Sequence, residues 1–385
     1  MRVLIALHRV GPYHRVRLVA AAHAGMNLTV LQTRPLSQEY PWTIDSTGPY
    51  ELEELTGASD PEADPPLPLL DRQLRALLDR CRPAVIVCVG WADLAYQRLL
   101  LLAQRRRIPV VIVSDSRERD EPRSIAKEWL KRQLLRGYSA ALVAGGESRA
   151  YLRSLGMDPA VIQQPWDVVD NDFFARAAAQ AGPRQPHFLC VSRLVSKKNH
   201  QGLLAAYANY QRQGGRWGLQ LVGGGPLQKA IESWILTLPD PARVQLLPFC
   251  QLAELGRLYG QASAFILAST SDQWGLVVNE AMAAGLPCLV SDACGCAMDL
   301  IEHGVSGWCF DPTRSATLAE LMLTAERQSA PDRAAMVAAA RRQLEGFAPQ
   351  SFATALRGAV LQALSHPRLS RRAACAAIVL SRRPA

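Results

Sequence analysis

Two carboxylates, Asp272 and Glu280, stand eight positions apart around Gly275 in the stretch Ser271-Asp-Gln-Trp-Gly-Leu-Val-Val-Asn-Glu280. The stretch follows an apolar run at 264–268 that reads as a buried strand, and apolar residues from Leu276 open a short helix. A strand, a Gly-bearing loop and a helix start leave free backbone N–H groups pointing outward, a geometry that suits phosphate. Ionised carboxylates only accept hydrogen bonds, so an acid on each side of the loop suits sugar hydroxyls. Asp272, Glu280 and the N–H groups around Trp274, Gly275, Leu276 and Val277 together imply a grip on a sugar nucleotide.

A cationic counterpart lies upstream. Arg193 and Lys198 sit five positions apart in Val191-Ser-Arg-Leu-Val-Ser-Lys-Lys-Asn199, directly after the apolar run 188–191. A planar guanidinium and a compact ammonium both suit a departing diphosphate; the alternative is a pair of surface cations. Gly223 and Gly225 in Val222-Gly-Gly-Gly-Pro226 follow the next apolar run. Glycine there permits close approach of backbone to a ligand or to another loop, and Pro226 suits a helix start. A further strand, 244–249, ends on Phe249 and leaves Cys250 and Gln251 in the loop where a nucleobase would lie.

These groups need strands to carry them. Short β-branched or Leu-rich runs at 3–7, 28–32, 84–89, 110–113 and 141–143 alternate with helical patterns, and a second series follows at 188–191, 219–222, 244–247, 265–267 and 288–290. Continuous apolar strands separated by helices predict parallel sheets covered on both faces. Two series in 385 residues predict two doubly wound α/β domains. The boundaries fall at 1–168 for the first domain and 184–348 for the second, with a closing helix at 349–366 that returns toward the first and a basic tail at 367–385. The linker between the domains is placed in the polar, Pro-containing stretch 166–186, and 32–68 reads as a polar excursion. Ligands of open α/β sheets bind beyond the carboxyl ends of the strands, so a cleft between the domains is the expected site.

Composition narrows the partners. Hydrophobic residues make up 49% and charged residues 20%, as in an ordinary globular protein, while a net charge of +9 favours anionic partners or simply solvates the surface. Nine cysteines without metal-ligand spacing, several inside apolar runs, indicate a reducing cytosolic setting. No run is long enough to span a bilayer, and Met1–Leu7 is too short for a signal core. The expected location is the cytoplasm, with contact at the inner membrane face left open.

Arg193, Lys198-Asn199, Gly223-Gly-Gly-Pro226, the segment from Asp272 to Glu280 with its continuation to Gly285-Leu-Pro287, and Gly304-x-x-Gly307 together resemble the retaining family 4 (group 1) glycosyltransferases. The resemblance covers 188–312. It implies the GT-B fold, two Rossmann-like domains facing a cleft with the nucleotide sugar on the C-terminal one. It also implies front-face, metal-independent transfer from a nucleotide-diphosphate sugar, with no cofactor. By position, Glu280 would hold the ribose, Arg193 and Lys198 the diphosphate, and Asp272 the transferred sugar. The family usually has Glu where Asp272 stands and often Phe where Trp274 stands. The shorter acid leaves open a protein that binds nucleotide sugar with weak or lost catalysis.

The first domain resembles the family in layout only. Gly11, after the first strand, would face the donor phosphates. His14 reads as an acceptor contact or proton shuttle, or else as a capping residue. Asp115 and Ser116 stand where the family often carries a His, and become candidate acceptor contacts. Arg123, Lys127 and Lys131 repeat at four-residue spacing, Arg132 and Arg136 continue the basic side, and Trp129, Leu130, Leu134 and Leu135 supply apolar partners; this reads as a helix docking on anionic lipid, as for a lipid-linked acceptor, or as an ordinary amphipathic helix. The tail, Arg371, Arg372 and beyond, reads as a second lipid contact or a frayed end. A nicotinamide-dependent enzyme is disfavoured because no G-x-G-x-x-G follows the first strand. A nucleic-acid binder is disfavoured because no basic motif is interleaved with aromatics.

Overall fold

The computed structural model describes residues 1–36, 41–43 and 45–381. The chain forms two compact units, Met1–Val168 with Pro349–Ala385, and Val169–Ala348. In the first, seven strands run parallel: β1 (Arg2–Leu7), β2 (Asn27–Gln32), β3 (Glu51–Glu54), β4 (Val85–Val89), β5 (Val110–Ser114), β6 (Ala140–Val143) and β7 (Ile162–Gln163), ordered β3-β2-β1-β4-β5-β6-β7. Central strands such as β5 and β6 are buried along their whole length, which is why they read as unbroken apolar runs.

The second unit repeats the plan with β8 (His187–Val191), β9 (Gly218–Val222), β10 (Val244–Leu247), β11 (Ala264–Leu267), β12 (Cys288–Ser291) and β13 (Trp308–Phe310), ordered β10-β9-β8-β11-β12-β13 and all parallel. Phe188, Leu203, Tyr207, Leu219, Ile266 and Leu289 are among the residues that fill its core. In each sheet the strand order reverses once, between β1 and β4 and between β8 and β11. Connections leave that point in opposite directions, so the loops beyond the strands part and make room for a ligand.

The stretch assigned to a linker contains a helix, Asn171–Gln180, capped by Asp170, whose carboxylate accepts from the Phe173 N–H at 2.8 Å. It packs within the second unit on the helix Leu252–Gln261. Gly256 and Gly260 permit this: a Cβ on either would stand 2.6 or 2.5 Å from the Cβ of Ala177 or Ala181. The helix Pro349–Ser365 belongs to the first unit and lies on the helix Pro12–His23, with Phe352, Leu356 and Val360 buried. Beside it, buried Arg17 donates to Asp167 at 2.9 Å and lies over the Trp166 ring at 4.7 Å.

The chain end is more ordered than a frayed tail. Ser370 caps a helix, Arg371–Leu380, that packs on the helices Leu94–Arg106 and Ile125–Leu135. Its alanines seat against Gly137, where an added Cβ would lie 2.8 Å from that of Ala373. Residues 382–385 of the expected basic tail lie outside the described residues.

Candidate active site

The site of the second unit is built from loops beyond β8, β9 and β11, around the reversal point. The β8 loop begins by bonding to the β9 loop: the Ser192 N–H donates to Val222 O at 3.0 Å, and the Leu194 N–H to Gly224 O at 2.9 Å. This contact accounts for two of the glycines. Gly223 (φ 152°) would place a Cβ 1.9 Å from Ser192 O, and Gly225 (φ 154°) would place one 2.6 Å from Leu194 O. Of the two reasons for glycine here, close approach of another loop is the one observed. Arg193 lies in the strapped segment, on its exposed side.

Lys198 ends a short 3-10 turn, Ser196–Lys198, and Asn199 follows in the left-handed region at φ 57°. The Asn199 side chain joins three strand ends. Its amide donates to Ala268 O after β11 and to Pro312 O after β13, each at 3.1 Å, while its carbonyl accepts from the Gly202 N–H and caps the next helix. The Thr270 N–H donates to Lys197 O at 2.9 Å, so the β8 and β11 loops are tied together. There the Lys198 ammonium meets the Asp272 carboxylate in an ion pair, each side chain 13% exposed. The shorter acid thus still reaches the lysine.

Gly275 takes φ 104° and starts the helix Leu276–Ala283, leaving that helix's first N–H groups beside Asp272. The Trp274 ring turns inward: it is buried, donates to Asn279 Oδ1 at 2.9 Å and lies 5.2 Å from the Phe347 ring. Only its backbone is left for a ligand. Glu280 is fully buried and accepts from Tyr259 Oη–H at 2.7 Å. Neither Tyr259 nor His200 is signalled by the motif. His200 is buried with Nε2 3.0 Å from Ser192 Oγ, and burial together with the Lys198 charge lowers its pKa to about 4, so it is neutral at pH 7. Phe249 is half-buried; Cys250 is buried, its thiol on Pro248 O at 3.4 Å and pushed up to about 11 by burial.

In the first unit, Gly11 caps the helix Pro12–His23, and its N–H donates to His14 Nδ1 at 3.2 Å. Of the readings of His14, the cap is what the geometry displays. Burial, then the charges of Arg17 and His8, hold its pKa down to about 3, which makes it a poor proton carrier near neutrality. Asp115 and Ser116 line a cavity of about 150 Å³ with Gly90, Trp91, Ser114 and Trp166, beyond β4 and β5. A second group spans the reversal point between β1 and β4 and carries no sequence signature. His8 Nε2–H donates to Asp93 at 2.8 Å, and Arg34, after β2, donates to the other Asp93 oxygen at 2.5 Å.

The basic repeat at 123, 127 and 131 does not form one outward face. Arg123 lies over the Tyr151 ring at 4.4 Å, and Lys131 donates to Tyr151 Oη and Glu128 at 2.9 and 3.1 Å. Two of the three cations are therefore spent inside the unit. Among the described residues, no helix is long and apolar enough to cross a membrane, and no group of three His, Cys, Asp or Glu is arranged to hold a metal ion.

Two parallel-sheet Rossmann-like units with this site define a GT-B protein. Residues 172–343, within the second unit, match the family model "Glycosyl transferases group 1". The chain is 27% identical over 241 residues to the amylovoran biosynthesis glycosyltransferase AmsK of Erwinia amylovora, covering 60% of this chain and 56% of that protein, less than two thirds of its length. Its fold matches that of HepE from Anabaena, solved with UDP and glucose, with a TM-score of 0.71 and 19% identity over 93% of this chain and 98% of HepE. A glycosyltransferase from Rickettsia africae matches with a TM-score of 0.73 and 14% identity over 94% and 98% of the two chains.

Proposed function

We propose that the chain moves a sugar from a nucleotide-diphosphate sugar to a glycan or glycolipid acceptor, retaining the anomeric configuration. The observation that carries this reading is the Lys198–Asp272 pair at the reversal point of the second sheet, its lysine in the loop that also carries Arg193 and its acid next to the start of the helix Leu276–Ala283. The family match and a fold shared with a UDP-bound protein support a nucleotide-sugar donor.

In this reading the donor diphosphate lies against Arg193, Lys198 and the N–H groups following Gly275. Charge developing on the leaving diphosphate is met by fixed cations and dipoles, which need no reorganisation as the anomeric bond breaks. Asp272 aims Lys198 and accepts from sugar hydroxyls. Glu280, held by Tyr259, takes the ribose hydroxyls once its side chain is exposed to them. The leaving diphosphate oxygen takes the acceptor proton on the same face, which preserves configuration, and the cations fill the part a divalent metal would otherwise play. Asp115 and Ser116 at their cavity are the acceptor contacts.

The test is to incubate the protein with UDP-, GDP- and ADP-sugars and follow the anomer first released, by proton NMR. One nucleotide sugar is consumed, the first-formed anomer matches the donor's, and EDTA leaves the rate unchanged. The opposite anomer overturns retention, and loss with EDTA overturns the metal-free step. Donor binding without turnover instead favours the weakly catalytic relative.

A further inference from the structure

His200 opens the helix His200–Arg212 directly behind the Asn199 cap, and it is 2% exposed. One ring nitrogen, Nε2, lies 3.0 Å from Ser192 Oγ, while the other, Nδ1, is buried with no hydrogen-bond partner. Whichever nitrogen carries the proton, Nδ1 is left as an unmet donor or an unmet acceptor, which costs stability. A side chain kept here only to fill the core would be apolar, as Leu203 and Leu204 of the same helix are. What the imidazole supplies in return is its one bond, to Ser192.

Ser192 stands directly before Arg193. Its N–H is fixed on Val222 O at 3.0 Å, its carbonyl oxygen lies against Gly223, and its Oγ is fixed on His200. On the other side of Arg193, the Leu194 N–H is fixed on Gly224 O at 2.9 Å. The exposed Arg193 side chain thus takes its direction from a backbone pinned before and after it. The histidine end of the bond is equally fixed. Asn199 ties this turn to Ala268 O after β11 and to Pro312 O after β13, and Lys197 O accepts from the Thr270 N–H of the loop that carries Asp272. The Ser192–His200 bond therefore clamps the loop across its base, with Arg193 and Lys198 both inside the clamp. Within the loop itself Arg193, Ser196 and Lys197 are exposed, so few of its own side chains could hold that spacing.

We infer that His200, acting through Ser192, is a positioning residue for the donor diphosphate: it sets the distance between Arg193 and Lys198 so that one diphosphate meets both cations. The inference rests on the proposed donor reading. His200 is buried, touches no ligand and moves no proton. Its contribution is to hold two cations in place before the ligand arrives, so that binding does not have to order the loop.

The full chain is titrated with UDP-, GDP- and ADP-sugar as wild type, Ser192→Ala, His200→Leu and His200→Gln, with amide hydrogen exchange of 192–195 followed alongside. Ser192→Ala and His200→Leu each weaken nucleotide-sugar binding about fivefold, leave the free nucleoside bound as before and speed exchange of the Leu194 N–H. His200→Gln restores affinity, because its amide reaches the place of the imidazole Nε2 and leaves no ring nitrogen unmet. In an Arg193→Ala background, Ser192→Ala costs no further affinity. A histidine that serves packing alone changes the melting temperature but leaves nucleotide-sugar affinity at the wild-type value in all three variants, and that result overturns the inference. A full further loss from Ser192→Ala when Arg193 is already gone overturns it as well. A wild type that binds none of the three sugars overturns the donor reading, and the inference with it.

Discussion

Lys198 and Asp272, 74 residues apart in sequence, meet as an ion pair between the loops that follow β8 and β11. Each was assigned to a different part of a donor, the lysine to diphosphate and the acid to sugar. Their pairing joins the two proposed roles: in that reading the acid aims the cation at the leaving diphosphate, and the cation keeps the acid's oxygens in place. Lys198→Ala lowers kcat by about 10²–10³-fold, the scale of losing one preorganised donor to a developing anion. Asp272→Glu retains activity, because the longer acid matches the family's usual residue. The Lys198→Ala, Asp272→Asn double variant is less impaired than the product of the single losses, since either change alone already breaks the pair. Strictly multiplicative losses in steady-state kinetics would contradict the coupling.

The glycine loop makes a prediction about stability and position together. Gly223→Ala drives a Cβ into Ser192 O in a backbone region alanine resists, so the β8 loop and Arg193 must shift. A cost of about 2–4 kcal/mol is expected, with weakened donor affinity. Gly224 has nothing within 4 Å of its Cβ direction, so Gly224→Ala serves as the matched control and stays within about 0.5 kcal/mol. Denaturant melts of the two variants check this.

Tyr259 and Glu280 give a third test. Tyr259→Phe leaves a fully buried carboxylate short of a donor, at a cost of about 1–3 kcal/mol. Glu280→Gln keeps an acceptor for the phenol and is milder in a thermal melt. Glu280→Ala is the variant that must weaken nucleotide-sugar affinity if this acid meets the ribose.

His200 sets a pH dependence. Its folded pKa of about 4 lies below the ordinary value of 6.5, so the unfolded chain binds a proton that the folded chain refuses between those values. Stability from this residue is therefore complete above about pH 6.5 and declines as pH falls toward about 4, by on the order of 3 kcal/mol. Urea midpoints at pH 7.5 and 5 should show the decline, and His200→Gln should make it shallower. An identical slope in the variant would remove His200 as the cause.

The central strands were legible because burial on both faces writes an unbroken apolar run. Three of the four edge strands were not. Glu51–Glu54 is almost wholly exposed and acidic, Ile162–Gln163 has two residues, and Trp308–Phe310 has three, so none carries that signal. The helix Asn171–Gln180 lies in a stretch rich in turn-forming residues, yet it is fixed by a cap and by glycines eighty positions away, which local pattern cannot reveal. In the second unit, the motif singled out Arg193, Lys198, Asp272 and Gly275, of which the fold brings Lys198 and Asp272 into contact. It gave no hint of Tyr259, His200, or the His8–Asp93 contact, because those partners converge only through the fold. Trp274 shows the converse: it lies within the motif, but its ring serves the core.

The central claim is that Arg193 and Lys198 hold the diphosphate of a nucleotide sugar. Its most direct test is isothermal titration of wild type, Arg193→Ala and Lys198→Ala with UDP-sugar, GDP-sugar and ADP-sugar, alongside the matching free nucleosides. Wild type binds one nucleotide sugar, each variant binds it at least about tenfold more weakly, and the free nucleoside is bound equally by all three. Undiminished nucleotide-sugar affinity in both variants would contradict the account.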